Sequence, residues 1–228
     1  MEPTVISRRD VSVPPPFLES KALHEAGFRH AFSTRAAGEA KERDRAMAEH
    51  LGASHVWQAT QVHGDTVIDA GEPEGTKADA LIARRPGDAV GIRVADCVPI
   101  LIASPEGHVA AVHAGWRGVV NGIIGASVKR LSGDASRFIA AIGPHIGPCC
   151  FEVGHEVGAQ IGFVDRVAGD KSFVDLRRAV HAQLKAAGIT AIDDVGGCTK
   201  CHPDTYHSFR RDAEASGRML AAIVARDR

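Results

Sequence analysis

An α/β fold class is what this sequence predicts, and three observations predict it. Apolar runs of strand length recur, among them Val94 to Ala103, Val109 to Ala114 and Phe138 to Gly143. Stretches with helical spacing lie between them, such as Trp116 to Leu131, where Val119, Val120, Ile123, Ile124, Val128 and Leu131 share a face. Gly, Pro and Ser-Pro turns separate the two kinds of run. With 228 residues, 44% of them hydrophobic, the chain can bury a sizeable core. One domain over 1–228 is expected, with 1–27 as an N-terminal lead-in and short helix.

In order, Pro14 to Phe17 is an extended lead-in and Glu19 to Ala26 a short helix closed by Gly27. Phe28 to Ser33 reads as a strand, and the turn from Thr34 to Gly38 leaves Arg35 at its end, where a cation can meet a ligand. Glu39 to Leu51 has the composition of a solvent-facing helix, with Gly52 after it. Val56 to Gly64 reads as a strand entering a Gly turn, which puts His63 at its edge and Gln61 on the same face. Asp79 to Ala83 and Val90 to Val94 are further strands around an Arg84-Arg85-Pro86-Gly87 turn. The helix from Trp116 to Leu131 starts directly behind Gly115, so backbone N–H groups there, with Arg117, suit an anion such as phosphate; tight packing would equally explain Gly115 and Gly118.

Phe138 to Gly143 leads into the rigid loop Pro144 to Cys150, whose His145, Cys149 and Cys150 are assigned to a pocket wall because adjacent cysteines seldom chelate one metal together. Gly154 to Ile161 and Asp175 to Ala187 are helices, and Ile189 to Val195 is a strand. Cys198-Thr-Lys-Cys-His202 has the spacing of c-type haem attachment, which would need export. It also has the spacing of half a zinc knuckle, but no second C-x-x-C completes four ligands. A loop lining the pocket is preferred. Arg218 to Val224 closes the chain as a strand or short helix.

Charge and cysteine usage exclude several classes. The chain carries 27 basic and 28 acidic side chains, so nothing global draws it to nucleic acid or an anionic membrane. Residues 1–20 hold no continuous apolar stretch and no later run is long enough to cross a bilayer, so a cytoplasmic protein is expected. No obligate protein partner is evident. Five cysteines, an odd number in a large domain, suggest buried, metal-bound or catalytic thiols rather than a disulfide framework.

The chemistry concentrates where polar residues interrupt apolar runs, since such interruptions cost stability unless a partner or ligand satisfies them. Asp96, Cys97, His113 and Arg117 are the interruptions at the centre of the chain. A Cys and a His are two metal ligands or a nucleophile with its base. With His63 they make an open His2Cys set, the count of a catalytic zinc that keeps one position free.

The motifs Gln61-Val-His-Gly64, Ala95-Asp-Cys97, Val112-His-Ala-Gly-Trp-Arg-Gly118, Ile142-Gly-Pro144 through Phe151-Glu-Val-Gly154, and Cys198-Thr199 with Phe209-Arg-Arg-Asp212 resemble the bacterial YfiH family, whose animal relative is a laccase domain-containing protein. The resemblance runs from about Phe32 to the C-terminus. It implies stacked helix and sheet layers, here a single layered α/β domain with a central mixed β-sheet flanked by helices, a fold compared with cysteine hydrolases and deamidating toxins. It implies zinc on His63, Cys97 and His113. It also implies purine nucleoside chemistry: phosphorolysis of inosine, guanosine, adenosine or methylthioadenosine, and deamination of adenosine, with purine nucleosides and phosphate as partners. Cys97, His113 and Asp96 are then the catalytic candidates, and Arg35, Gln61 and Arg117 the substrate-binding ones. Two departures stand out: Arg35 runs almost directly into the charged helix from Glu39, where the family has a Gly-rich loop, and Cys201-His202 occupies a position that is usually unreactive.

Two other classes compete. A copper-dependent polyphenol oxidase of the laccase type needs several coppers and many His, whereas the remaining His are scattered; added copper is still expected to bind such an N/S site in vitro. A metal-free amidohydrolase would use Cys97 as nucleophile and His113 as base.

Overall fold

The computed structural model describes residues 14–227; the part of the lead-in before Pro14 lies outside the described residues. In chain order the elements are β1 (Phe17–Leu18), α1 (Lys21–Glu25), β2 (His30–Ser33), α2 (Ala40–Leu51), β3 (Val56–Trp57), β4 (Val67–Asp69), β5 (Ala80–Ala83), β6 (Ala89–Val94), β7 (Val98–Ala103) and β8 (Val109–Ala114). Then follow α3 (Trp116–Asn121), α4 (Ile123–Leu131), β9 (Ile139–Ile142), β10 (Glu152–Gly154), α5 (His155–Ile161), β11 (Val164–Ala168), β12 (Lys171–Val174), α6 (Leu176–Ala186), β13 (Ala191–Asp194), α7 (Phe209–Asp212) and β14 (Met219–Val224).

The α/β class expected from the sequence is present, but the strands form more than one central sheet. A five-stranded sheet runs β1-β2-β14-β6-β3, a six-stranded sheet runs β13-β9-β7-β8-β5-β4, and β10-β12-β11 make a small third sheet. Both large sheets are mixed, with β3–β6, β4–β5 and β13–β9 parallel and their remaining pairs antiparallel. The period-2 alternation of side chains explains the layering. Val98, Ile100, Ile102, Ala110 and Val112 pack with Ile123, Ile124, Val180 and Leu184 of α4 and α6. Leu101, Ala103, Val109 and Ala111 pack against Val90, Ile92, Ala221 and Ile223 of the other sheet. Leu220, Ala222 and Val224 turn outward to Met47 and Leu51 of α2. The order is therefore helix, sheet, sheet, helices. β7, β8 and β14 are buried at every position, which is why they read as continuous apolar runs.

Local departures have local causes. The expected helix from Trp116 to Leu131 breaks at Gly122, whose φ of +87° stops α3 and caps it before α4 begins. The Val56 to Gly64 segment is a strand only over Val56–Trp57, and its second half is an irregular loop. The closing element is strand β14, paired on both edges with β2 and β6. Among the described residues no helix is long and apolar enough to cross a membrane.

Candidate active site

Strand order brings the polar interruptions together. β6 belongs to one large sheet and β7 to the other, so the bend Ala95-Asp96-Cys97 crosses between them. In the antiparallel β7–β8 register Pro99 lies opposite His113 and Val98 opposite Ala114, which sets Cys97 beside the end of β8. His113 alternates with Val109 and Ala111, so it faces the layer between the sheets. The loop after β3 delivers His63. The ligand atoms of His63, Cys97 and His113 lie within 4.8 Å of one another, with the two imidazoles 4.9 Å apart at 78°.

Asp79, which the sequence reading passed over as the first residue of a strand, organises this trio. It is fully buried at the start of β5, and its Oδ1 accepts from His113 Nδ1 at 2.7 Å and from the His63 N–H at 2.9 Å. Its Oδ2 accepts from the N–H groups of Gly64 at 2.7 Å and Val62 at 3.2 Å. One carboxylate thus orients the His113 ring, leaving Nε2 for a ligand, and pins the loop that carries His63. Burial disfavours the Asp79 anion, but the bonds from His113, Gly64 and Val62 outweigh it and hold the carboxyl below its usual range.

The same balance sets the Cys97–His113 pair. Burial opposes the Cys97 thiolate, yet hydrogen bonds with His113 and His63 bring the thiol down to about 6. Burial opposes the His113 cation, yet Asp79 and Cys97 raise it to about 9. A thiolate beside an imidazolium is a proton-filled version of a metal site, in which a cation replaces the shared proton. The cradle is also shaped for an occupant: a Cβ at Gly115 would come 3.1 Å from His63 Cδ2 and 3.3 Å from Cys97 Sγ. N, S and N donors that line the cavity, with a carboxylate behind one imidazole, are a donor set that fits zinc.

The trio sits in a cavity of about 770 Å³, within the range of small-molecule sites. Its walls include Trp116, Ile146, Phe151 and Phe209, with Arg93, Arg117, Arg210 and Arg218 among the charged residues. Arg93 reaches Asp44, Arg210 bonds the Glu152 carbonyl, and Arg218 bonds the Ser216 and Gly217 carbonyls. Arg117 lies 4.6 Å from the Trp116 ring centroid and makes no hydrogen bond or ion pair among the described residues. Gln61 lines the cavity with its amide clamped to Arg93, donating to the carbonyl at 2.7 Å and accepting from the N–H at 2.8 Å. Asp96 also lines it; its carboxylate accepts from Thr199 Oγ1 at 2.5 Å and the Arg210 N–H at 2.6 Å. Asp96 and His63 carry φ values of +91° and +60°, rare for residues with a side chain, and both adjoin or belong to the trio.

Two expectations fail. Arg35 is not in the cavity wall: it opens a 3-10 turn capped by Thr34, and its guanidinium donates to the Pro203 carbonyl. The four cysteines Cys149, Cys150, Cys198 and Cys201 do not line the cavity either, and they converge in a cluster of their own.

Residues 29–226 match a family described as multi-copper polyphenol oxidoreductase laccase. The chain belongs to this family, the YfiH family. It is 37% identical over 186 residues to the purine nucleoside phosphorylase YfiH of Escherichia coli, covering 77% of this chain and 76% of that one. It is 40% identical over 171 residues to adenosine deaminase RL5 from an unknown prokaryotic organism, covering 68% and 65%. Its fold is similar to the crystal structure of Neisseria meningitidis NMB0706, with a TM-score of 0.83, 27% identity and coverage of 94% and 100%.

Proposed function

We propose that the cavity binds a purine nucleoside together with phosphate, that the protein catalyses phosphorolysis and adenosine deamination there, and that His63, Cys97 and His113 hold zinc. The observation that carries this reading is the convergence, in one cavity of nucleoside size, of an open N, S, N donor set with the Arg117 guanidinium, which makes no hydrogen bond or ion pair among the described residues. The names of the two relatives support the same substrate class. Zinc held by His63, Cys97 and His113 would supply Lewis acidity there and would lower the pKa of a water towards about 7.

The chain's own residues divide the remaining work. Trp116, Phe151 and Phe209 offer aromatic faces to a base and exclude water. Phosphorolysis needs an anion held beside ribose C1′ while positive charge develops on the sugar, and Arg117 is free to hold it. Deamination needs the proton that the attacking water loses to be delivered to the leaving amine. Asp96 is the carrier proposed: its carboxylate keeps acceptor capacity beyond the bonds from Thr199 and Arg210 to take that proton, and once protonated it can donate it to the amine.

Arg117→Ala should lower phosphate-dependent turnover of inosine by about a hundredfold or more and deamination of adenosine much less. Both rates, with phosphate varied, test it. Equal loss would make Arg117 a wall residue, and no nucleoside turnover by zinc-loaded wild-type protein would overturn the function.

The laccase description is the weaker reading. A multicopper centre needs several clustered His, and among the described residues the convergent donor groups are this trio and an all-thiol cluster. Added Cu(II) is expected at the trio, giving slow phenol oxidation as a side reaction. A metal-free amidohydrolase has one observation in its favour, the Cys97–His113–Asp79 alignment. Full activity after complete chelation would select it.

A further inference from the structure

We propose that Cys149, Cys150, Cys198 and Cys201 form a second metal site, a tetrathiolate that holds one zinc ion and staples the loop carrying the cavity residue Ile146 to the loop of residues 195–208 behind it. It is independent of the nucleoside reading, because none of the four lines the cavity.

The four Sγ atoms lie within 4.8 Å of one another, with Cys149 and Cys201 at 3.6 Å and Cys150 and Cys201 at 3.4 Å. A tetrahedron with Zn–S bonds of about 2.3 Å has S···S edges of about 3.8 Å, so the set surrounds one ion. A multi-iron cluster spreads its cysteines over several metal atoms and suits this spacing less well. All four cysteines are free thiols.

The loops are built to make this meeting. The turn after Gly147, with the Cys150 and Phe151 N–H groups on the Gly147 carbonyl, turns two adjacent cysteines towards one point. A Cβ on Gly147 would come 3.3 Å from both Cys149 Sγ and Cys198 Cβ, so Gly lets the second loop approach closely without either cysteine having to give way. The Gly147 N–H donates to Cys198 Sγ at 3.2 Å, the kind of bond that orients and stabilises a metal thiolate. His145 and Cys198 form a parallel bridge, and Thr199 N–H donates to the His145 carbonyl.

The position explains the purpose. Residues 195–208 contain no helix or strand beyond that single bridge, and so long a loop needs a cross-link to stay ordered. The same loop carries Thr199, whose hydroxyl holds Asp96, and its Thr199 and Lys200 carbonyls are gripped by Arg211. Ile146 N–H donates to the Asp96 carbonyl. A zinc clip at the four cysteines therefore holds Asp96 from both sides without touching substrate.

The test counts metal and reads its ligands. Elemental analysis of full-length protein purified under reducing conditions should give two zinc per chain, Cys97→Ala one, Cys201→Ser one, and the double variant none. Titrating wild type with Co(II) should give the intense thiolate charge-transfer absorption of a four-sulfur site, and Cys149→Ser should abolish it; this reading of wild type stands even if a variant folds poorly. Thermal unfolding should start earlier in Cys201→Ser than in Cys97→Ala. Cysteine variants with unchanged zinc, a wild type without the Co(II)–thiolate signature, or iron in place of zinc would overturn the proposal. So would a disulfide among these four in the native protein, detected by mass.

Discussion

Replacing Asp79 by Asn tests the reasoning about the site more sharply than removing a ligand, because the side chain keeps its size and loses only its charge and half its acceptors. In the native protein each oxygen takes two donors, His113 Nδ1 and the His63 N–H on one, the Gly64 and Val62 N–H groups on the other. With the amide oxygen kept on His113 and the His63 N–H, the NH2 faces two obligatory donors, the Gly64 and Val62 N–H groups, in a fully buried position. Two hydrogen bonds to a charged acceptor are lost, at about 1.5–3 kcal/mol each, so unfolding free energy should fall by about 3–6 kcal/mol. Zinc affinity should fall by about 10–100-fold, towards the upper end because His113 and the His63 loop loosen together. Competition against a chromophoric chelator measures the affinity, and thermal unfolding of the metal-free protein measures the stability. A purely structural role would leave the protonation of His113 alone. Here burial lowers His113 while the hydrogen bond to Asp79 is the largest single effect raising it to about 9, so the midpoint of proton release from His113 should move to lower pH in Asp79→Asn. Wild-type zinc affinity with an unmoved midpoint would refute the role assigned to Asp79.

Three further outcomes follow from the same geometry. Between pH 6 and 9 the metal-free Cys97–His113 pair carries one proton, on His113, so zinc uptake should release about one proton from this pair and its affinity should rise about tenfold per pH unit, flattening above pH 9; calorimetry in buffers of different ionisation enthalpy reads this, and a pH-independent affinity would contradict the pairing. Gly115→Ala has a φ of −69°, which any residue adopts, so stability should hold while the Cβ crowds His63 and Cys97 and lowers zinc occupancy; undiminished occupancy by elemental analysis would count against the cradle. Gly143→Ala should do the reverse, its Cβ falling 2.2 Å from Phe32 Cδ1 in the core and costing about 1–3 kcal/mol by denaturant titration, with the zinc content of the folded protein unchanged.

Much of the fold was legible because β7, β8 and β14 are apolar at every position, and only a strand buried on both faces needs that. What such a run does not encode is the cover on each face. Leu101 meets a second sheet and Ile102 meets a helical layer, yet both are aliphatic, so one central sheet and two stacked sheets write nearly the same sequence. The break at Gly122 was hidden for a related reason, since Val119, Ile123 and Ile124 keep helical spacing through it.

The site divides along the same line between local pattern and tertiary pairing. Cys97 and His113 stand out because each interrupts or ends an apolar run, where an unpaired polar group would be costly, and His63 because it closes a strand candidate at a Gly turn. Asp79 does not stand out, since an acid before a strand is ordinary; its value lies in the β5–β8 register that brings it to His113, which no spacing records. The four cysteines are hidden for the opposite reason: along the chain Cys149-Cys150 and Cys198-Thr-Lys-Cys201 each look like half a site. The bridge between His145 and Cys198 joins the halves. Arg35 sits at a strand end as expected, but a strand has two ends and a sheet two edges, and this one turns to Pro203. A polar residue placed against local pattern thus marks where a partner must be, and only the pairing of strands and loops says which partner it is.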